Sequence, residues 1–212
     1  MPKIAVIGGS GFSDFNKQGV IFLQRHGKDI PPHKINHKEN ILLLKKKGAE
    51  IIIGINSVGS LKKEIKPGSV IIPDDYINLK DIQTYYDLEV RHITPGLDEE
   101  IRKKIIAAAD EISLKVVESG IYIQAIGPRL ETKAEINMIK NYADVVGMTM
   151  ANEATLAKEL GLKYASICSV DNYANGITEE QVTFEDIKTA QKENKEKIER
   201  LLNKLIYDLQ KN

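Results

Sequence analysis

Apolar and polar residues alternate along this chain between two kinds of stretch. Short, nearly continuous apolar runs are followed by longer segments whose apolar residues fall three or four apart. The short runs predict buried strands at residues 3–9 (KIAVIGG), 49–59 (AEIIIGINSVG), 68–79 (GSVIIPDDYINL), 120–128 (GIYIQAIGP) and 164–170 (YASICSV). The periodic segments predict helices at 40–48, 97–112, 131–142, 152–161 and 185–210. Two of these end in glycine, Gly48 and Gly161, and the helix at 97–112 carries acids in its first turn and bases after them. The last segment is highly charged, with apolar spacing at Ile187, Ala190, Ile198, Leu201, Leu202 and Leu205. Strands alternating with helices predict an α/β fold. We expect a single domain over residues 1–212, with a mixed, mostly parallel twisted sheet flanked by helices on both faces.

In such sheets ligands bind beyond the carboxyl ends of the strands. Several of those ends are polar here: Gly8-Gly9-Ser10, Asn56-Ser57, Gly127-Pro128-Arg129, and Asp171-Asn172 in ICSVDNYANGI (167–177). Polar side chains at the mouth of a buried strand need partners, so the pattern predicts one shared pocket.

Each candidate motif also has a structural reading. The GGSG turn (8–11) offers backbone N–H groups and a hydroxyl to an anion, or is a tight turn with no ligand. In RHGKDIPPHKINHKEN (25–40), Arg25 and His26 supply donors suited to phosphate. His33 and His37 raise the question of zinc, but no cysteine or carboxylate stands at a usual ligand spacing, so no metal is expected. Glu131 is either a helix-start acid or a pocket acceptor or base. Thr149, in VVGMTMANE, is either a helix cap or a pocket hydroxyl. The single cysteine, Cys168, lies within a predicted strand, which favours packing over nucleophilic catalysis.

Thirty basic residues cancel thirty acidic ones, so no overall field recruits nucleic acid or membrane. Apolar runs fall short of the roughly 20 residues of a membrane span, and the opening MPKIAVIGGSG lacks signal-peptide anatomy, so a cytoplasmic location is expected.

Taken together and in order, IAVIGGSGF, RHG…IPPHKINHKEN, INSVGSLKKEIKPGSVIIPDDYI, GPRLETKAE, VGMTMANEATLAKELGL and ICSVDNYANGI resemble the trimeric purine nucleoside phosphorylase and methylthioadenosine phosphorylase family. The resemblance implies cleavage of a purine nucleoside by phosphate, giving the free base and a pentose 1-phosphate. Inorganic phosphate is then a co-substrate, and no cofactor is needed. By matched position, Ser10, Arg25, His26, Asn56, Ser57 and Thr149 would hold phosphate. Met148 would lie against the ribose, and Glu131 and Asn172 would read the base. Phe184 and Ile187 would meet the sugar's 5′ end. His92 would reach a neighbouring subunit's pocket, within a homotrimer or a hexamer. Glu131 can accept from N1–H of a 6-oxopurine while the Asn172 amide donates to O6 or N7; adenine presents the opposite pattern at N1 and position 6. The adenine-preferring branch usually has Asp in place of Asn172, so the resemblance points to the 6-oxopurine branch, with a 5′-hydroxyl or a 5′-methylthio group left open.

The chain departs from the family in length. Only thirteen residues, Phe12 to Gln24, separate the GGSG turn from Arg25, which predicts loss of hairpin or strand material beside the first strand. The segment before VRHITP is shortened as well.

Overall fold

A computed structural model describes residues 2–179 and 183–211, apart from the side chains of Phe184 and Asp186. Eight strands form one sheet: β1 (Ile4–Gly8), β2 (Val20–Gln24), β3 (Ile51–Ser60), β4 (Val70–Ile71), β5 (Asp75–Ile77), β6 (Ile121–Gln124), β7 (Val145–Gly147) and β8 (Lys163–Tyr173). The helices are α1 (His37–Lys46), α2 (Glu99–Glu111), α3 (Lys133–Ile139), α4 (Met150–Glu159) and α5 (Phe184–Lys211). The expected architecture holds: parallel pairs dominate, and apolar clusters fill both faces. One cluster joins the sheet to α2 and α5, a second joins it to α1 and α4, and a smaller third packs α3 against β7.

β3 organises the site. One of its edges pairs in parallel with β8 from Ile51 to Ser60. Its other edge pairs with β1 only as far as Gly54, then takes β7 in antiparallel orientation at Gly59 and Ser60. Between those contacts the sheet forks. The carboxyl ends of β1 and β7 approach the middle of β3 from opposite directions, so their turns meet over Ile55–Val58.

Several elements differ from expectation. The run 68–79 divides at Pro73, which has no N–H for a ladder; β4 pairs with β8 and β5 with β6. The last central strand continues through Asn172 to Tyr173, so the polar residues are part of the ladder rather than of a loop. The short segment 12–24 holds a strand that the pattern did not assign: β2 pairs along the whole of β1. α1 also starts earlier than expected, at His37, because the Asn36 side chain accepts from the Glu39 amide and caps it.

α5 is anchored at one end. Ile198, Leu201, Leu202, Leu205, Ile206 and Leu209 are at most 2% exposed, and burying each contributes about 1.5–3 kcal/mol. The opposite end of the helix is left to lean over the fork.

Candidate active site

At the fork, the glycine turn after β1 lies directly on β3 and on Arg25. A Cβ at Gly9 would stand 2.3 Å from Arg25 Nη1 and 2.6 Å from the Ile55 carbonyl oxygen, so only glycine fits. Arg25 is 2% exposed. Its guanidinium donates to both oxygens of Glu153 at 2.5 and 2.9 Å, and to the Ile55 carbonyl at 2.7 Å. Two of its five N–H groups remain for a ligand. Tyr164 donates to Glu153 at 2.8 Å. Burial alone would raise the Glu153 carboxyl, but the charge and hydrogen bonds of Arg25 outweigh it and hold it well below the usual range.

Thr149 occupies the position before α4 yet makes no side-chain cap bond. The first amides of that helix are met by the Tyr122 hydroxyl and the Gln124 side chain, so Thr149 Oγ1 is not needed there. It accepts instead from Asn56 Nδ2 at 3.0 Å, and Asn56 Oδ1 accepts from Ser166 at 2.8 Å. Asn56, expected on the phosphate itself, is 1% exposed and holds Thr149 from below. On the other face of β3, the Ser57 hydroxyl donates to Asp171. His26 Nδ1 lies 2.8 Å from the Ile30 carbonyl and donates to it, leaving Nε2 for a ligand. Burial lowers the His26 pKa, so the ring is neutral at pH 7.

Arg25, His26, Ser57 and Thr149 line one end of a cavity of about 550 Å³, together with Ser10, a size typical of small-molecule sites. Glu131 and Asn172 line the same cavity, as does Met148. Gly127 has φ +72, and a Cβ there would meet Met148 Sδ at 2.5 Å, so glycine lets this methionine seat against the turn. Glu131 Oε1 is buried without a hydrogen-bond partner, and burial pushes its carboxyl up. Asn172 Nδ2 donates to the Tyr173 carbonyl at 2.8 Å, which leaves its second N–H and its carbonyl for a ligand.

The fold thus brings Ser10, Arg25, His26, Ser57, Glu131, Met148, Thr149, Asn172 and Ile187 to one cavity. His92 is exposed, in the irregular segment after β5, and does not line the cavity of its own chain. The side chain of Phe184 lies outside the described residues. His33 and His37 part company: His33 is exposed, whereas His37 begins α1, buried, 3.7 Å from Glu153. Among the described residues no cluster suited to a metal ion occurs. Cys168 is fully buried and its thiol is pushed up to about 12 by burial, as suits a packing role.

A model of the family described as the phosphorylase superfamily matches residues 4–207, nearly the whole chain. The chain belongs to that superfamily. It is 49% identical over 178 residues to a probable 6-oxopurine nucleoside phosphorylase of Archaeoglobus fulgidus, covering 82% of this chain and 73% of the relative. It is 43% identical over 194 residues to a probable S-methyl-5′-thioinosine phosphorylase of Methanocaldococcus jannaschii, covering 88% and 77%. An S-methyl-5′-thioadenosine phosphorylase of Pyrococcus abyssi is 38% identical, covering 97% and 92%. That match spans 238 positions, more than the chain's 212 residues, so the relative carries segments that this superfamily member lacks. The fold matches a solved structure of methylthioadenosine phosphorylase from Schistosoma mansoni with adenine, at TM-score 0.89 and 24% identity, covering 100% of this chain and 93% of the other.

Glu153 and Gln191 escaped the sequence reading, and Asp171 entered it only as part of a polar strand end. Glu153 stands in the first turn of α4, where an acid needs no further role. The available signal was its setting, since it is the one acid in the run MANEATLA, and the buried Arg25 needs a counter-charge.

Proposed function

We propose that this chain is a purine nucleoside phosphorylase acting on 6-oxopurine nucleosides. The observation that carries the reading is the polarity of the one cavity. Donors suited to an anion (Arg25, Ser10 and Thr149) lie at the fork, and an unpartnered buried carboxyl with a half-used amide, Glu131 and Asn172, faces the same space. The named relatives from Archaeoglobus and Methanocaldococcus support the same substrate class.

The chemistry follows from that placement. A phosphate oxygen forms a bond to C1′ as the bond from C1′ to the purine nitrogen breaks, and the electron pair leaves with the base. Positive charge develops on the sugar and is stabilised by the phosphate dianion held at the fork. Negative charge moves to the purine, where the free Asn172 N–H donates to O6 or N7 and Glu131 accepts from N1–H. An N1–H donor also supplies the partner that Glu131 Oε1 otherwise lacks, and leaving such a group unmet costs about 1–3 kcal/mol. Adenine, with no hydrogen on N1, leaves it unmet. Ile187 gives the 5′ end an apolar neighbour, which suits a 5′-methylthio group alongside a 5′-hydroxyl.

The reading extends to assembly and location. A homotrimer would bring His92 of one chain to the cavity of the next, and the exposed Leu79, Ile82, Leu88 and Val90 of the same segment give such a contact apolar surface. No described helix is long and apolar enough to cross a membrane; we place the enzyme in the cytoplasm. Incubation with inosine, guanosine, 5′-methylthioinosine and 5′-methylthioadenosine tests the assignment. Hypoxanthine or guanine released only with phosphate supports it, whereas adenine as the sole product contradicts it.

A further inference from the structure

β3 and β8 lose register at the cavity. Val58 pairs with Val170, but Gly59 pairs with Asn172. Asp171 is the extra residue, and a bulge of this kind re-aims the side chains beside it. Asn172 rejoins the ladder and lines the cavity, while Asp171 is 1% exposed and turned onto the α5 side of the sheet.

Two hydroxyls donate to Asp171 there, Ser57 to one oxygen and Ser169 to the other. Ser169 itself accepts from Asn194 Nδ2 at 2.8 Å, so its hydrogen is committed to Asp171. Ser57 receives a longer contact from Gln191 Nε2, 3.4 Å away. Ser57 and Gln191 both line the cavity. A continuous polar line therefore runs from α5, through a buried carboxyl, to a hydroxyl at the anion end.

We propose that Asp171 is a positioning residue that decides which way the Ser57 hydroxyl faces a bound phosphate. As a carboxylate, Asp171 can only accept, so it takes the hydroxyl hydrogen and leaves Ser57 as an acceptor toward the cavity. As a neutral acid it donates to Ser57 through the oxygen that Ser169 does not occupy, and the Ser57 hydrogen turns to the anion. A dianion at the fork favours the neutral acid, so anion binding and proton uptake at Asp171 are linked. This inference rests on the fork being the phosphate end of the cavity.

The surroundings are consistent with a carboxyl that changes state near neutrality. Burial pushes Asp171 up to about 6, partly opposed by hydrogen bonds from Ser169, Ser57 and Gln191. From α5, the cation nearest along the network is Lys197, which donates to Asn194 Oδ1 at 3.0 Å and to the Gly68 carbonyl at 2.8 Å. Lys188 of α5 lines the cavity, as do Arg25, already bound to Glu153, and His26. Cys168 of β8 is the remaining titratable neighbour, and its thiol is protonated. His26 gains charge on acidification too, so the test must separate its contribution.

Sulfate is a suitable probe because it stays a dianion from about pH 5.5 to about pH 8, on both sides of the Asp171 range. Calorimetric titration with sodium sulfate, without nucleoside, reads the anion end alone. Wild-type affinity should rise about tenfold as pH falls across that window. Asp171→Asn, whose amide oxygen serves Ser169 and whose NH₂ donates to Ser57 at every pH, should bind tightly throughout and keep only the slope due to His26. His26→Asn measures that slope. In a Ser57→Ala background, Asp171→Asn should lose most of its advantage. Wild-type affinity and slope in Asp171→Asn would overturn the proposal, and so would a full advantage retained without the Ser57 hydroxyl, which would indicate charge alone. Should Asp171→Asn fail to fold, Ser57→Ala by itself decides, since its pH slope must fall to that of His26. A wild-type chain that shows the sulfate behaviour but releases no base contradicts phosphorolysis and leaves this inference standing; one that releases base but binds sulfate without pH dependence does the reverse.

Discussion

Arg25 shows how a residue can be legible as to its place and not as to its partner. The RHG motif put a guanidinium at the fork, and its full burial then requires a counter-charge. Glu153 supplies it from α4, across 128 residues of sequence. Removing one member of a buried pair leaves the other uncompensated, so Glu153→Ala should cost about 3–5 kcal/mol by denaturant unfolding. A loss below about 1 kcal/mol would mean that Arg25 finds another partner or reaches water. Asn172 carries the base specificity. Asn172→Asp replaces a donor by an acceptor, and should reduce kcat/KM for 6-oxopurine nucleosides while admitting adenine nucleosides. Unchanged selectivity would remove Asn172 from base recognition. Asp171 has a stability consequence too. Its carboxyl is raised from 3.8 to about 6 in the folded chain, so the native state binds more protons than the unfolded one between those values. Stability from this group is greatest below that range and falls as pH rises through it, by about 2–3 kcal/mol. Thermal unfolding of Asp171→Asn should therefore show a gain of about 5 °C at alkaline pH that disappears in acid.

At the level of elements, the strands that carry the site were visible because continuous β-branched runs ended in glycine or polar residues. What the pattern did not reveal was pairing. The fork depends on β7 running antiparallel to β3, and no local periodicity encodes the direction of a three-residue strand. β2 was missed for a related reason: its residues VIFLQ are half-buried at the sheet edge and lack a distinctive alternation. The bulge at Asp171 is likewise a register event, legible only when β3 and β8 lie side by side. Helix starts were more readable. Asp98 accepts from the Ile101 amide at 3.0 Å and caps α2, away from the cavity. Asp98→Ala should cost about 1 kcal/mol of stability and leave kcat/KM unchanged. A change in kcat/KM would show that α2 packing reaches the site through α5.

On the scale of the whole molecule, the chain is shorter than the Pyrococcus abyssi relative it matches. Its strands β1, β3, β7 and β8 nonetheless meet at one fork beside the cavity. α5 is fixed by its apolar half and presents Ile187 and Gln191 at the other, so the last helix of the chain forms one wall of a site begun by the first strand. The likeness of INSVGS, GPRLET and VGMTMANE to one family pointed to these positions before any contact was known, although it could not show that Asn56 stands beneath Thr149 rather than in the cavity. The central claim is that this cavity joins a phosphate to a 6-oxopurine nucleoside, and the most direct measurement is release of free base from 5′-methylthioinosine and inosine with and without phosphate. The account predicts hypoxanthine only when phosphate is present, with an equal amount of the sugar 1-phosphate. Hypoxanthine formed equally well without phosphate, or adenine from 5′-methylthioadenosine as the sole product, would contradict it.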